Sequence, residues 1–483
     1  MSTVVRPLGR SSVARFSGRL RAGEGTVIRA TTVIMCLLVA LPARAQVNLG
    51  TLQDEAVTWL QRYIRIDTVN PPGNEIAGAR FLAEILQREG IRYEIVESAP
   101  GRGNIWARLE GGDGPALILL HHMDVVPADR RFWTTDPLSG EVRDGHVYGR
   151  GALDTKSNGI LHLAALIALH RSRAALKGDV IFMGTADEEA GGGLGVGWLV
   201  KNRPELFKGV GFVINEGGGG RLDGGRAQFG VEVTQKVPYW FRLTARGEPG
   251  HGSRPREASS VTRIVAALER LRLHEFEARI VPAVDAYFKG LSPAAPAKWQ
   301  SRYANMRQAV RTPGVAEELQ RENPGMHALI RNTCSMTRLG ASDKINVVPA
   351  EAWAEIDCRL LPDQNPEAFI NELGGVLGDE IKIETLMGFT PAVSSADTGL
   401  YRVLQEVSTQ HVPGAPVVPA VSPGFTDSHF FRDLGITAYG YSPTLVPLED
   451  QGGVHGNNER ISVENVRRGV TMMVDVLRRF AVN

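Results

Sequence analysis

The chain is most informative first in what it lacks. It has almost no net charge: 54 Lys and Arg stand against 53 Asp and Glu, leaving +1. That removes the electrostatic case for nucleic acid or an anionic membrane surface as partner. It is poor in cysteine, with 3 in 483 residues. Cys36 lies in the N-terminal leader, which leaves Cys334 and Cys358. Two cysteines make neither a zinc–thiolate framework nor a disulfide scaffold for a chain this long. Low-complexity tracts and internal repeats are also missing, and no apolar run is comfortably long enough to span a membrane. What remains is ordinary globular composition, 43% hydrophobic and 22% charged, with length for a large core and two domains.

The first 45 residues differ from the rest. Arg6, Arg10, Arg15, Arg19, Arg21 and Arg29 form a basic stretch. "TTVIMCLLVALP" follows, and then "ARA" (43–45), with small residues where a signal peptidase reads. This pattern predicts a secretory signal cleaved after Ala45, and a periplasmic or secreted mature protein. Met35 before Cys36 argues against a lipoprotein.

Beyond the leader, several apolar runs end in acid or imidazole: "ALILLHHMD", "DVIFMGTADEE" (179–189) and "GVGFVINE" (209–216). Helical spacing separates them, as in "SNGILHLAALIALHRSR" (157–173). Continuous apolar strands alternating with helices predict a mostly parallel sheet covered on both faces. Ligands of such sheets sit beyond the carboxyl ends of the strands, which is where these polar groups fall. Near Pro238 the pattern changes. "YWFRLTARGE" (239–248), "NTCSMTRL" and "AWAEIDCRLL" alternate as half-exposed antiparallel strands do. A hairpin of the last two sets Cys334 nearly opposite Cys358, where a cross-strand disulfide is one outcome if the Cβ atoms come close. The reading is a signal (1–45), a first domain in two parts (46–236 and 391–483), and a smaller α/β domain (237–390). The smaller domain carries a helical insertion around 280–330.

A buried His or Asp is costly unless paired, hydrogen-bonded or bound to metal. The set His121, His122, Asp124, Asp154, Asp187, Glu188, Glu189, Glu216 and His455 gathers that cost at strand ends and glycine turns. Clustered acids call for a cation. Mixed imidazole and carboxylate donors suit zinc, and a pair of metals sharing one carboxylate needs about five protein ligands.

The motifs "HMDVVP", "YGRGALDTK", "TADEEAGG", "INEGG", "GEPGHGSRP", "NVVPAEA…DCRLLP" and "HGNNE" together resemble the M20 family of di-zinc metallopeptidases, in order and spacing, over essentially the whole chain after the leader. The resemblance implies a mostly parallel-sheet catalytic domain with an inserted α/β lid and dimerisation domain. It implies two Zn2+, with Co2+ or Mn2+ as alternatives. His122, Asp154 and Glu216 would hold one metal, and Asp154, Glu189 and His455 the other. Glu188 would be the general base. Asp124 would accept a hydrogen bond from His122 and fix its ring. His121 receives no ligand role and is read as facing helix or solvent. The resemblance further implies a cis peptide at Asp154–Thr155. It implies a homodimer in which His251 stabilises the oxyanion across the interface. Asn346 and Arg359 would contact the substrate's carboxylate or carbonyl, and Gly424 would close the pocket. "TQKVPYW" and "SHFFR", with His429, depart from the family pattern near the specificity region.

The predicted activity is therefore that of an exported metal-dependent amidohydrolase or exopeptidase acting on a small peptide or N-acyl amino acid. Two alternatives stand beside it: a catalytically inactive relative that only binds, and a succinyl-diaminopimelate desuccinylase-type deacylase, which fits export less well.

Overall fold

The computed structural model describes residues 47–483. The predicted signal lies outside the described residues. No helix among the described residues is long and apolar enough to cross a membrane.

An eight-stranded sheet organises the larger body. Its order is Tyr93–Glu97, Gly103–Leu109, Gly178–Thr185, Gly114–His122, Val210–Asp223, Thr437–Pro447, Arg226–Gln235, Val417–Ser422. The centre is parallel: Gly114–His122 pairs in parallel with Gly178–Thr185 and with Val210–Asp223, which pairs in parallel with Thr437–Pro447. One margin is antiparallel, through Tyr93–Glu97 and Gly103–Leu109. Gly114–His122 is buried without a break from Ala116 onward, as expected of a strand covered on both faces. Helix Lys156–Ser172 is buried all round through Leu169. It lies between this sheet and the helices Leu49–Ile64 and Val463–Phe480. The last of these is capped by Ser462, whose side chain accepts from the Asn465 N–H.

Strand Val210–Asp223 runs past the predicted end at Glu216, through Gly217–Gly220, and turns at Gly224–Gly225 into Arg226–Gln235. The signal was present in "DGG", because both turn glycines adopt positive φ (53° and 79°).

The smaller layer is a four-stranded antiparallel sheet ordered Thr333–Gly340, Glu351–Leu360, Val237–Arg246, Ile381–Gly388. Burial alternates residue by residue along Glu351–Leu360. Helices Ser260–Leu273 and Pro366–Leu377 cover the inward face over Phe241, Leu243 and Ile356, and the second helix adds Phe369 to this core. Cys334 and Cys358 are register partners and form a disulfide.

The predicted insertion forms helices from Pro282 to Ala328. It interrupts the smaller layer in sequence but packs on the larger body. Phe288, Trp299, Tyr303 and Leu319 share a core with Val418 and Val421 of the large sheet's edge strand. The approach is close enough that a Cβ on Gly290 would stand 2.1 Å from Val418.

The disulfide closes a loop of 24 residues, for which chain entropy gives about 3 kcal/mol of stabilisation. Reductant is therefore expected to lower the denaturant midpoint of the wild-type chain and leave Cys334→Ser, already shifted by that amount, unaffected.

Candidate metal centre

The strand Gly114–His122 delivers two histidines to opposite faces. His121 points into the core. It is fully buried, its Nε2 lies 3.2 Å from the Tyr63 hydroxyl, and its ring packs near Phe182. It faces helix rather than solvent: a Cβ on Gly159 of helix Lys156–Ser172 would collide with its ring. His122 points the other way. Its Nε2 lies 3.0 Å from Asp154 Oδ1 and 3.5 Å from Glu216 Oε1.

Asp154 is the shared member. Its Oδ2 lies 3.1 Å from His455 Nε2, which is also 3.2 Å from Glu189 Oε2. Donor atoms of His122, Asp154 and Glu216 thus form one group, and those of Asp154, Glu189 and His455 a second, each within 4.8 Å. All five predicted ligands converge, and Asp154 joins the halves. The Asp154–Thr155 peptide is cis.

The acidic turn explains how neighbouring glutamates reach one pocket. The strand Gly178–Thr185 ends, Asp187 takes a left-handed conformation (φ 71°), and Glu188–Ala190 forms a short 3-10 turn. Such a φ is uncommon outside glycine and needs support. The Asp187 carboxylate supplies it, accepting from Arg102 Nη2 at 2.9 Å, Asn70 Nδ2 at 3.3 Å and the Leu194 N–H at 2.9 Å. Asp124, fully buried, accepts from the Glu188 and Glu189 N–H groups at 3.2 Å each and from Asn70 at 2.8 Å.

Asp124 does not hold His122 in the predicted manner. Nδ1 of His122 donates to the Asp124 backbone carbonyl at 2.9 Å, while the carboxylate lies 3.6 Å away. The carboxylate is instead committed to the acidic turn. A carbonyl only accepts, so Nδ1 carries hydrogen and Nε2 becomes the free lone pair of the neutral ring.

Two acids that the motif reading left without a role complete the surroundings. Glu459 is fully buried, paired with Arg150 at 2.7 Å, and accepts from the N–H groups of Gly151, Leu153 and Asp154. It fixes the loop that presents Asp154. Its only sequence signal was its place in "HGNNE". Asp427, 3% exposed, accepts from the Thr185 hydroxyl at 3.3 Å. It stood in "FTDSHFF" as a lone acid among aromatics.

The remaining candidates lie outside this cluster. His251 is exposed in the smaller layer on the short strand Gly250–His251, and its Nδ1 accepts from the Ser253 hydroxyl at 2.8 Å. Asn346 is exposed nearby, its carbonyl accepting from the Gly252 N–H at 2.9 Å. Arg359 forms a bidentate pair with Asp357 (2.7 and 2.9 Å) and its guanidinium sits 5.3 Å from the Phe425 ring centre, leaving Nη1 without a partner. Gly424, beside Phe425, is exposed. His429 is buried and stacks on Phe389 at 3.6 Å.

The electrostatics of this arrangement call for positive charge. Burial, then the neighbouring charge of Glu216, pushes Glu188 well above the usual carboxylate range. Burial also raises Asp427, and it pushes Glu216 up to about 7. For His122, burial opposes ionisation, but Glu216, Asp124 and Asp154 override it and raise the ring well above its ordinary value. His455 is pushed up to about 10 by hydrogen bonds to Asp154 and Glu189. The imidazolium protons thus take the place of cation charge. The donor set, two imidazoles and three carboxylates around a shared aspartate, fits a pair of divalent ions.

An α/β sheet with this cluster at its strand ends defines a metal-dependent hydrolase. The model of Peptidase family M20/M25/M40 matches residues 118–479, and the chain belongs to that family. Family members are metal-dependent, and the chain is an enzyme of the peptidase and aminoacylase type. It is 32% identical over 451 residues to the N-fatty-acyl-amino acid synthase/hydrolase PM20D1 of Xenopus tropicalis, covering 88% of this chain and 85% of that one. Human aminoacylase-1 is 27% identical over 442 residues, covering 88% of this chain and 95% of the relative. Among solved structures, the M20 metallo-carboxypeptidase Sso-CP2 from Sulfolobus solfataricus shares the fold. Its TM-score is 0.70 at 20% identity, over 88% of this chain and 99% of that one.

The metal-free chain should lose stability with rising pH. His455 goes from about 6.5 unfolded to about 10 folded, so its contribution is complete below about 6.5 and lost as pH climbs through 10. Glu216, raised to about 7, works in the same direction at lower pH, since the folded state again holds more protons. The melting temperature of chelator-treated protein is expected to fall across this window, and divalent metal, which replaces the protons, to remove the slope. A metal-free Tm that rises with pH contradicts this charge balance.

Proposed function

We propose that this protein is an exported amidohydrolase that cleaves the amide bond of an N-acyl amino acid or small peptide. The observation that carries the reading is Asp154, within 3.0 Å of His122 and 3.1 Å of His455. One carboxylate shared between two donor groups is the arrangement a co-catalytic ion pair requires. The printed names of the relatives, a fatty-acyl-amino acid synthase/hydrolase and an aminoacylase, support an acyl amino acid as substrate. The basic-apolar leader ending in "ARA" supports export.

In this reading His122, Asp154 and Glu216 hold one ion, and Asp154, Glu189 and His455 the other, with zinc favoured by the mixed N and O donors. Two such ions supply Lewis acidity at the substrate carbonyl and a lowered pKa for water. Glu188, a buried acid outside both donor groups whose place in the motif resembles that of the family's general base, is the base in this reading. It takes the proton from water as the oxygen adds to the carbonyl carbon. It returns that proton to the amide nitrogen as the C–N bond breaks. Its raised pKa suits both halves of that transfer. Asp124 keeps Glu188 at the pocket by binding its N–H. Arg359 and Asn346, in the smaller layer, receive the substrate's carboxylate, and Gly424 lies along the closing edge. Residues 237–390 then act as lid and dimerisation domain, with His251 of the partner subunit donating to the developing oxyanion.

Glu188→Gln is expected to keep its metal content by elemental analysis and to lose turnover by about 100- to 10,000-fold. Near-normal turnover rules Glu188 out as the base. Chelation should abolish hydrolysis, and added zinc or cobalt should restore it. His251→Ala should lower turnover with metal content unchanged, provided sedimentation shows a dimer; a fully active monomer defeats the cross-subunit role.

A further inference from the structure

A cavity of about 490 Å³ lies between the larger body and the 280–330 insertion, within the range of small-molecule sites. None of His122, Asp154, Glu188, Glu189, Glu216 and His455 lines it. The chemistry proposed for those groups therefore leaves the cavity without a use, although Leu153, Gly217 and Val454, chain neighbours of Asp154, Glu216 and His455, form part of its wall.

Two polar groups of the wall are left open to a ligand. The first is Arg221. Among the described residues it is the one Lys or Arg on the wall, and no Asp or Glu lines the cavity. Its partner is neutral: Nε donates to Gln451 Oε1 at 3.1 Å, and Gln451 Nε2 donates to the Val446 carbonyl at 3.3 Å. A neutral acceptor orients the guanidinium and leaves its charge uncancelled. The two terminal nitrogens remain, in the planar fork that suits a carboxylate. The second group is Asn158, in the first turn of helix Lys156–Ser172 and 2% exposed. Neither its amide oxygen nor its amide nitrogen has a partner among the described residues. A buried amide without partners is costly, and it calls for one donor and one acceptor together.

We propose that this cavity is a second ligand site, apart from the metal centre, for a small monocarboxylate that also carries an amide. Arg221 takes the carboxylate on its terminal nitrogens. Asn158 takes the amide, whose N–H and C=O complement its own C=O and N–H. One negative charge matches the one cation of the wall. A dianion such as sulfate brings a second charge that no wall residue meets, and an unpaired charge out of water is expensive. An apolar ligand leaves both Arg221 and Asn158 without partners. The site lies beyond the amidohydrolase reading and does not rest on it, because its ligand is bound and not turned over.

The test is calorimetric titration of the metal-loaded full chain with succinamate, glutaramate and adipamate, a series in which the span from carboxylate to amide lengthens. At least one is expected to bind with a Kd on the order of 1 mM or tighter. The matching butanoate, pentanoate or hexanoate, which lacks the amide, should bind about tenfold more weakly or worse. Arg221→Gln and Asn158→Leu should each weaken the amide-bearing ligand by about tenfold or more, with metal content unchanged. Arg221 is half-buried near the end of its strand, so its variant decides the matter if the buried Asn158 variant does not fold. No binding by any of the three at about 10 mM overturns the proposal. So does an affinity unchanged in Arg221→Gln, which puts the ligand at the metal centre or on the outer surface. Sulfate that binds more tightly than every carboxylate, and is lost in Arg221→Gln, overturns the carboxylate assignment.

Discussion

Repulsion among buried carboxylates is the constraint on which the rest of the structure depends. Asp154, Glu188, Glu189, Glu216 and Asp427 crowd together beyond the central strands, and among the described residues the two imidazoles of His122 and His455 face them. Left alone, such a set takes up protons: burial, with the neighbouring carboxylates adding to it, pushes Glu216 up to about 7, and hydrogen bonds to Asp154 and Glu189 push His455 up to about 10. A fold that keeps this cluster must hold each acid against its neighbours. The backbone provides the means. Three N–H groups fix Glu459 behind the Asp154 loop, and two fix Asp124 behind the acidic turn. These are charge-assisted bonds, stronger than neutral ones. They place like charges side by side where side-chain packing alone would let them separate.

A division of labour follows along the sheet. The central parallel strands are apolar and covered on both faces, so they are rigid, and they deliver His122, the acidic turn and Glu216 in register. Loops from distant parts of the chain add Asp154 and His455. The Asp154 loop and the acidic turn are each anchored by a buried ion pair: Arg150–Glu459 for Asp154, and Arg102 with Glu75 and Asp187 for the acidic turn. Breaking one member of such a pair strands a charge in the interior and is far costlier than a surface change. The anchors therefore set the geometry of the centre as much as its donors do.

The sequence made the donors legible and the anchors largely illegible. Apolar runs ending in His or Glu announced the strands and the pocket beyond them, because a costly polar group at a strand end has few bland explanations. Alternation marked the antiparallel layer and set Cys334 opposite Cys358. Asp427 and Glu459 carried no such signal, since a lone acid among aromatics or after two asparagines reads as surface. Their burial comes from contacts made hundreds of residues away. Contacts outside its own strand also decide His121, whose Nε2 meets Tyr63 from the first described helix, and Asp124, whose carboxylate turned to the Glu188 and Glu189 amides instead of the His122 ring. The insertion was visible as helical, but its docking surface was not. Gly290 reads as a poor helix residue until Val418 is seen against it.

That docking surface ties the insertion to the larger body. The metal cluster is assembled from the larger body alone, so its chemistry does not depend on the insertion. A cavity of about 490 Å³ elsewhere in the larger body does, because Tyr287, Met326 and Leu329 line it together with Val418 and Val421. Changes in the insertion can therefore reshape the cavity without disturbing the charge balance of the centre. Changes at the strand ends cannot, because each acid there is held by several others. The donor cluster and the insertion are thus written in different parts of the chain, and the insertion is joined to the central sheet at one edge strand.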